Sequence, residues 1–367
     1  MSVEEDFTED NFVRHTSRAV TARVLAHLLA PRIADLLGTP HVRPQLVALE
    51  SQGWSNYTLA ASCAGSTKEY IVRLTERTPA SLTTPCRSAP HFEKEHAILS
   101  RLQGLPFVPS LLEGGIGTLQ IDIPGSSEKS FAFMVQERMP YRAARDCTSR
   151  DRARSLEQLG EICRYIHAQS CEGFGLDFDP TQSSFSHRSF QDFIESKIAN
   201  IREAPISYPF KRWLEARAED LLALDPEPKL FHRDLLGNPG NYLLDNDLNV
   251  RGIIDWEFAG SGPAFHYEMA SMIYVLTRDG HPTEQIEHDL AAVLRGYGMP
   301  LAHYRDLYER EVETLVLMNS LSAIMRFAEL EKQGTSSREP WRKVFAERAN
   351  RMCLRSFAQD ATIPRTH

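Results

Sequence analysis

Two stretches hold side chains whose types and spacing suit phosphate chemistry: "HRDLLGNPGNYLLD" at 232–245 and "GIIDWEFAG" at 252–260. "LFHRD" reads as a strand end running into a loop, and "NYLLD" and "RGIIDW" read as two strands around an Asn-Asp turn. Asp234 and Asp255 therefore stand at the ends of apolar runs, where loops can present both carboxylates to one point. With an asparagine amide, from Asn238 or Asn241, they form a set of hard oxygen ligands. Such a set suits Mg²⁺, which takes few protein ligands and keeps phosphate oxygens and water. On the residues alone, the plainer reading that both aspartates only cap turns stays open.

Two further groups lie earlier in the chain. In "LESQGWSNYTLAAS" the small polar residues Ser51, Gly53, Ser55 and Asn56 join two β-prone runs. A turn of this kind lets backbone N–H groups approach phosphate oxygens, although most such turns are only turns. No Gly-x-x-x-x-Gly-Lys-Ser/Thr loop occurs, which excludes that route to nucleotide binding. In "YIVRL" Arg73 stands among apolar neighbours, and in the following "HFEKEHAILSRL" Phe92, Glu95, Ile98, Leu99 and Leu102 share one helical face. A carboxylate inside that stripe is costly unless paired, and Arg73 is its natural partner. The pair is either purely structural or a held cation that faces phosphates.

The elements that must position these groups fall into two sets. Residues 12–37 read as helical, with Val13, Val20, Val24 and Leu28 on one face, Pro31 opening a second short helix and Gly38 ending it. "QLVALE", "NYTLAAS" and "EYIVRLT" read as a meander of strands, and 76–90 as a loop rich in Thr, Ser and Pro. Further strands are expected at "GTLQIDI" and "SFAFMVQE", hinged by Gly114-Gly115 and Gly125-Ser126. Beyond Met139-Pro140 the texture is helical: "SLEQLGEICRYIHA", "SFQDFIESKIANI", "FKRWLEARAEDLLAL" and several helices over 286–356. The expected organisation is an N-terminal helical extension over 1–44, a β-rich lobe with one helix over 45–138, and a helical lobe over 139–367. Its fold class is α+β. Two lobes joined by a hinge commonly hold a ligand.

Composition narrows the partners. The chain has 367 residues, 42% hydrophobic and 25% charged, which is ordinary for a globular protein and long enough for two lobes. No apolar run reaches the length of a membrane span. The six cysteines (Cys63, Cys86, Cys147, Cys163, Cys171, Cys353) are scattered without a Cys-x-x-Cys pair, so reduced thiols and a cytoplasmic protein are expected. The acidic start "MSVEEDFTED" is not the composition of a secretory or transit peptide. A net charge of −8 with no basic stripe argues against nucleic acid and is compatible with a cationic small molecule. Glu309, Glu311 and Glu313 could line a pocket for such a cation, but a solvated helix face is the favoured reading.

The segment "FHRDLLGNPGNYLLD…GIIDWEFAG" resembles the catalytic and metal-binding segment of the aminoglycoside phosphotransferase and choline kinase-like superfamily. The resemblance runs from about residue 45 to 275. It implies a bilobal protein-kinase-like fold, with a nucleotide-binding N-lobe and a C-lobe that carries the catalytic loop. It implies that Asp234 orients the substrate hydroxyl and accepts its proton, and that Asp255 binds magnesium across nucleotide phosphates. The loop between His232 and the hairpin is two residues longer than the family pattern. Aligned from "PGNYLLD", the magnesium ligand is Asn241, with Asn238 as the alternative.

The resemblance also assigns the 51–56 turn to the nucleotide loop and Arg73 and Glu95 to the strand-cation and helix-glutamate pair. It places "FAFMVQERMP" at the hinge, where the backbone would hydrogen-bond the adenine edge with Met134 and Val135 beside it, and counts Gln136 and Met139 among the nucleotide-binding residues. "EGFGLDF", "SFQDFIESKI" and "GPAFHYEMASM" are similar to a hygromycin-phosphotransferase-like branch, in which Glu268 takes the place of an aspartate that braces the catalytic loop.

The expected protein is thus a small-molecule kinase that uses ATP or GTP with Mg²⁺. Its acceptor would be an aminoglycoside-like antibiotic, an aminoalcohol or a natural product. A protein kinase is disfavoured because Asp-Phe-Gly, Ala-Pro-Glu and an activation segment are missing. A catalytically silent nucleotide-binding module is the stronger rival, given the lengthened loop and the arginine at position 73.

Overall fold

The computed structural model describes residues 9–37, 44–49, 56–76, 90–121, 129–144, 149–332 and 340–362. The chain divides into two compact units, Met1–Pro140 and Tyr141–His367. The class is α+β, with a sheet-rich first unit and a largely helical second one.

In the first unit, helix α1 (Glu9–Leu36) is followed by strands β1 (Gln45–Ala48), β2 (Tyr57–Ser62) and β3 (Glu69–Glu76). Helix α2 (Pro90–Leu102) comes next, and then strands β4 (Leu111–Ile121) and β5 (Lys129–Glu137). The strands form a five-stranded antiparallel sheet in the order β1-β2-β3-β5-β4. One face of it packs Leu59, Ala61, Val72, Leu74, Phe131, Phe133 and Val135 against Ala22, Leu25, Ala26, Leu29 and Ile33 of α1. Leu25, Leu29 and Ile33 are fully or almost fully buried, which contributes about 1.5–3 kcal/mol each.

This corrects the sequence reading of α1 in two ways. The inward stripe is not the valine face: Val24 is half-buried, Leu28 is exposed, and the side chains of Val13 and Val20 lie outside the described residues. Pro31 lies inside one continuous helix rather than opening a second. It sits on the solvent side, while Leu29 and Ile33 hold both of its flanks to the same sheet.

Strand β4 also starts earlier than expected. It runs through Gly114-Gly115, where the pairing with β5 shifts register between Leu111 and Ile116. A Cβ on Gly115 would come within 2.8 Å of the Leu112 carbonyl and 2.9 Å of the Val135 carbonyl, so the expected hinge is a bulge that only glycine fits. Gly38, Gly125-Ser126 and most of the expected 76–90 loop lie outside the described residues.

The second unit opens with strand β6 (Arg142–Ala143) and helix α3 (Ser149–His167). Strands β7 (Phe174–Asp179) and β8 (Ser184–His187) form a hairpin, followed by helices α4 (Phe190–Glu203) and α5 (Tyr208–Asp220). Four short strands come next: β9 (Lys229–Phe231), β10 (Tyr242–Leu244), β11 (Val250–Ile253) and β12 (Gly260–Gly262). They pair in two small sheets, β11-β10-β6 and β8-β7-β12-β9. Helices α6 (Ala264–Asp279), α7 (Thr283–Tyr297), α8 (Leu301–Lys332) and α9 (Pro340–Thr362) complete the unit.

Helix α4 starts on a full capping box, with Ser189 receiving the Asp192 N–H and Asp192 receiving the Ser189 N–H. Helices α3 and α7 cross closely at Gly160 and Gly296, where any Cβ would overlap the opposite backbone. The apolar run of α8 is core, with Val312, Leu315, Val316, Leu317, Met318 and Leu321 buried. The described cysteines Cys63, Cys163, Cys171 and Cys353 are buried. Among the described residues, no helix is long and apolar enough to cross a membrane.

Candidate functional site

Strand β9 ends at Phe231, and the chain turns sharply through His232, Arg233 and Asp234. Arg233 sits in the left-handed region at φ 73°, a strained conformation for a residue with a side chain. The Glu268 carboxylate of α6 holds this turn by accepting the His232 N–H at 2.8 Å and the Arg233 N–H at 3.1 Å. Burial pushes the Glu268 carboxyl up, but the neighbouring His167 ring, His232 and the Arg233 N–H outweigh it and keep the group below the usual glutamate range. An ionised carboxylate is therefore the brace, where the resemblance put it.

His232 is fully buried against Trp256, with ring centroids 4.6 Å apart. Its Nδ1 accepts the Asp234 N–H at 3.3 Å, so Nε2 carries the hydrogen and donates it to the Ile254 carbonyl at 3.1 Å. The ring thus clasps the residue before Asp255 to the residue that starts the loop. It is a scaffold for the turn.

The long loop from Asp234 to Asn241 has a definite fold. Leu235 and Leu236 are buried, and Gly237 lies so close to Val275 of α6 that a Cβ would come within 2.7 Å of it. Asn238 Oδ1 accepts the Gly240 N–H at 3.0 Å, and Asn238 Nδ2 donates to Asp234 Oδ2 at 3.1 Å. Asn241 Nδ2 donates to both the carbonyl and Oδ2 of Asp234, each at 2.8 Å. Both amides must point their nitrogens at Asp234, because its oxygens can only accept.

Asn238 Oδ1 is engaged, whereas among the described residues nothing donates to Asn241 Oδ1. The Asn241 carbonyl also accepts the Ile254 N–H at 2.9 Å, which ties the loop to the strand that delivers Asp255.

Asp255 is the second left-handed residue here, at φ 68° and ψ 58°, just before a tight turn over Trp256–Phe258. The Trp256 side chain is fully buried and its Nε1–H donates to the Ile253 carbonyl at 3.3 Å, which fixes the turn. Burial raises the Asp234 carboxyl above its ordinary range; the Asn238 amide offsets this in part, and the Asp255 charge pushes it up further. The two carboxylates are therefore electrostatic neighbours. The donor set of Asp255, Asn241 Oδ1 and Asp234 consists of hard oxygens and suits Mg²⁺. Among the described residues no group of three or more His, Cys, Asp or Glu gathers to hold a metal, at this site or any other.

Sequence reasoning missed the cations of this region. Arg278 of α6 bears on Asp234 electrostatically while chelating Asp279 at 2.7 and 3.1 Å. Burial, helped by the Arg233 charge, brings Lys197 down to about 8. No local motif marks either residue; only the packing of α4 and α6 brings them near. Of the three glutamates weighed for a cationic pocket, Glu311 pairs with His266 at 2.9 Å, Glu313 pairs with Arg217 at 2.7 Å, and Glu309 is exposed.

In the first unit, Arg73 Nη1 donates to both carboxylate oxygens of Glu95 at 2.6 Å, and both side chains are buried. The guanidinium also lies 5.6 Å from the Phe92 ring centre. Residues opposite each other across antiparallel strands share a face. Arg73 is opposite Thr58 and Met134, so this row lies on the sheet face away from α1, where α2 packs. Gln136, opposite Ile71, is on the same face and is buried. Asn56 is buried just before β2, and half-buried Met139 follows β5. Ser51, Gly53 and Ser55 lie outside the described residues.

A family model described as phosphotransferase enzyme family matches residues 48–311. Among solved structures, a thermostable mutant of aminoglycoside phosphotransferase APH(4)-Ia, a ternary complex with ADP and hygromycin B, is 17% identical with a TM-score of 0.61. The match covers 89% of this chain and 98% of that one. The GDP complex of aminoglycoside 2'-phosphotransferase-IIIa is 16% identical with a TM-score of 0.56, over 88% of this chain and 99% of that one. At such identities the likeness is one of fold. No curated protein matches.

Proposed function

We propose that this chain, which belongs to the phosphotransferase enzyme family, moves the γ-phosphoryl group of ATP or GTP to a hydroxyl of an aminoglycoside-like antibiotic, an aminoalcohol or a natural product. In this reading Asp234 orients the acceptor hydroxyl and takes its proton, and its raised proton affinity suits that task. Asn241 and Asp255 would hold Mg²⁺, which when bound neutralises charge on the nucleotide phosphates. Arg73, fixed by Glu95, meets the remaining phosphates with the backbone of 51–56, and Gln136 and Met139 flank the base. Rate enhancement then comes chiefly from positioning and preset charge.

One observation carries the reading. Asn238 and Asn241 converge on Asp234 Oδ2, beside the charge of Asp255, and leave Asn241 Oδ1 for a cation. The lengthened loop, the reason to consider a silent nucleotide-binding module, is folded so that it supports this arrangement. The complex of APH(4)-Ia with ADP and hygromycin B supports the pairing of a nucleotide with an aminoglycoside-type acceptor. On an antibiotic the activity would confer resistance; on an aminoalcohol it would be metabolic.

The test is Mg²⁺-dependent phosphoryl transfer from ATP and GTP to a panel of aminoglycosides and aminoalcohols. Asp234→Ala is expected to lower turnover about 10²–10⁴-fold while nucleotide binding persists. Near-normal turnover in that variant would remove Asp234 from the role. A wild-type protein that binds nucleotide and transfers nothing would be the silent module.

A further inference from the structure

Gln136 presents an unusual polar group. It is 5% exposed, and its Oε1 is sealed from water without a hydrogen-bond donor. Among the described residues its Nε2 makes no hydrogen bond either. Buried side-chain oxygens nearly always find a donor, and one left without costs stability, so the exception calls for a partner that the chain does not supply.

Its placement says what kind of partner that is. On β5, Phe131, Phe133 and Val135 point into the core beneath α1, so Gln136 points to the opposite face. That face carries Arg73 one row away, beside Met134, while the row of Gln136 itself runs to Leu111 on one side and to Ile71 and Ala60 on the other. Ala60 is small and Ile71 is flat-sided and only half-buried. A planar apolar ring can rest on that row with a polar edge toward Gln136, and Arg73 lies in the direction in which phosphates would extend. The chain next leaves the sheet through Arg138, whose N–H is engaged by the Glu69 carbonyl at 2.8 Å.

We propose that the Gln136 amide reads the 6-position of the donor's purine, and that its two-ended chemistry admits 6-amino and 6-oxo purine triphosphates alike. This rests on the nucleotide-dependent function proposed above. Oε1 accepts a hydrogen from a 6-amino group; turned over about its last torsion, the same side chain donates from Nε2 to a 6-oxo group. No neighbouring hydrogen bond fixes the amide in one orientation, so neither base has to break one.

The experiment measures equilibrium binding of three triphosphates with Mg²⁺ to the full chain: ATP, inosine triphosphate and purine riboside triphosphate, which has only hydrogen at position 6. Wild-type protein is expected to bind the first two within about threefold of each other and each roughly tenfold tighter than the third. Gln136→Met should erase that advantage while the melting temperature without nucleotide stays level or rises, because a sealed oxygen has been removed. Gln136→Leu is the second variant, with the same expectation, should the methionine protein not fold.

An advantage at position 6 that survives in the variants overturns the assignment. So does a wild-type preference above tenfold between ATP and inosine triphosphate. Binding of all three without distinction overturns the assignment alone. Binding of none by the folded wild-type protein overturns the functional reading as well.

Discussion

The Arg73–Glu95 pair and the Asp234 loop hold buried charge in two different ways. In the first unit a carboxylate is closed off: Glu95 is fully buried and a single guanidinium nitrogen contacts both its oxygens at 2.6 Å. In the second unit the side chains that donate to Asp234 are neutral amides; burial and the Asp255 charge raise its carboxyl, and the Arg278 charge offsets this only in part. A matched pair is complete without a ligand. A buried carboxylate whose proton affinity is raised gains when a cation or a proton arrives. Under the proposed function, the first arrangement would position and the second would react.

Three changes put that contrast under strain. The largest effect is expected from Arg73→Ala, which leaves Glu95 buried without its partner and should cost about 3–5 kcal/mol in denaturant unfolding. The double variant Arg73→Met/Glu95→Leu should recover most of that loss. If it also loses nucleotide affinity, the pair is more than structural; if affinity is intact, the contrast collapses to two kinds of scaffold.

The next effect separates the two asparagines. Asn241→Ala should raise the Mg²⁺ concentration needed for half-maximal transfer by roughly 10–100-fold, whereas Asn238→Ala should change it far less. A metal titration of both variants that ranks them the other way would hand the ligand role to Asn238.

The smallest effect is one of pH. Because the folded-state value of Asp234 is raised, the native chain keeps a proton that the unfolded chain has released, and stability falls as pH rises through that window. Asp234→Asn removes this penalty. Without nucleotide or metal, its melting temperature should exceed wild type by roughly 2–4 °C at pH above the window. The gain should vanish below the ordinary aspartate value of about 4. A variant that melts lower than wild type at high pH would mean that Asp234 is already satisfied.

Much of this was legible in the sequence. Arg73 and Glu95 could be paired because a carboxylate inside an apolar helical stripe leaves few alternatives. The strand carrying Arg73 announced itself by its β-branched run, and the helix carrying Glu95 by its apolar spacing. The convergence of Asp234 with Asn241 was readable only as far as the run "PGNYLLD" allowed, and the reach of both asparagines to one carboxylate oxygen was not readable at all.

Other features left no trace in local pattern. Strand β12 is Gly-Ser-Gly, a composition that intrinsic preference assigns to a turn. It pairs because only glycine fits at position 260, where a Cβ would come within 2.5 Å of the Phe231 ring and 2.7 Å of Leu176. The inward face of α1 is built partly from alanines, which a search for large apolar residues passes over. Arg278 and Lys197 depend on how helices pack, which no single segment records.

The segment that leaves Asp255 is secured at once. Trp256 is fully buried, and β12 begins four residues later, bonded to β9 and paired with β7 at Gly175. No slack chain is left there to swing between an open and a shut arrangement. Under the proposed function, Asp255 would therefore meet its metal from a fixed support, and that end of the site would be set before any ligand arrives.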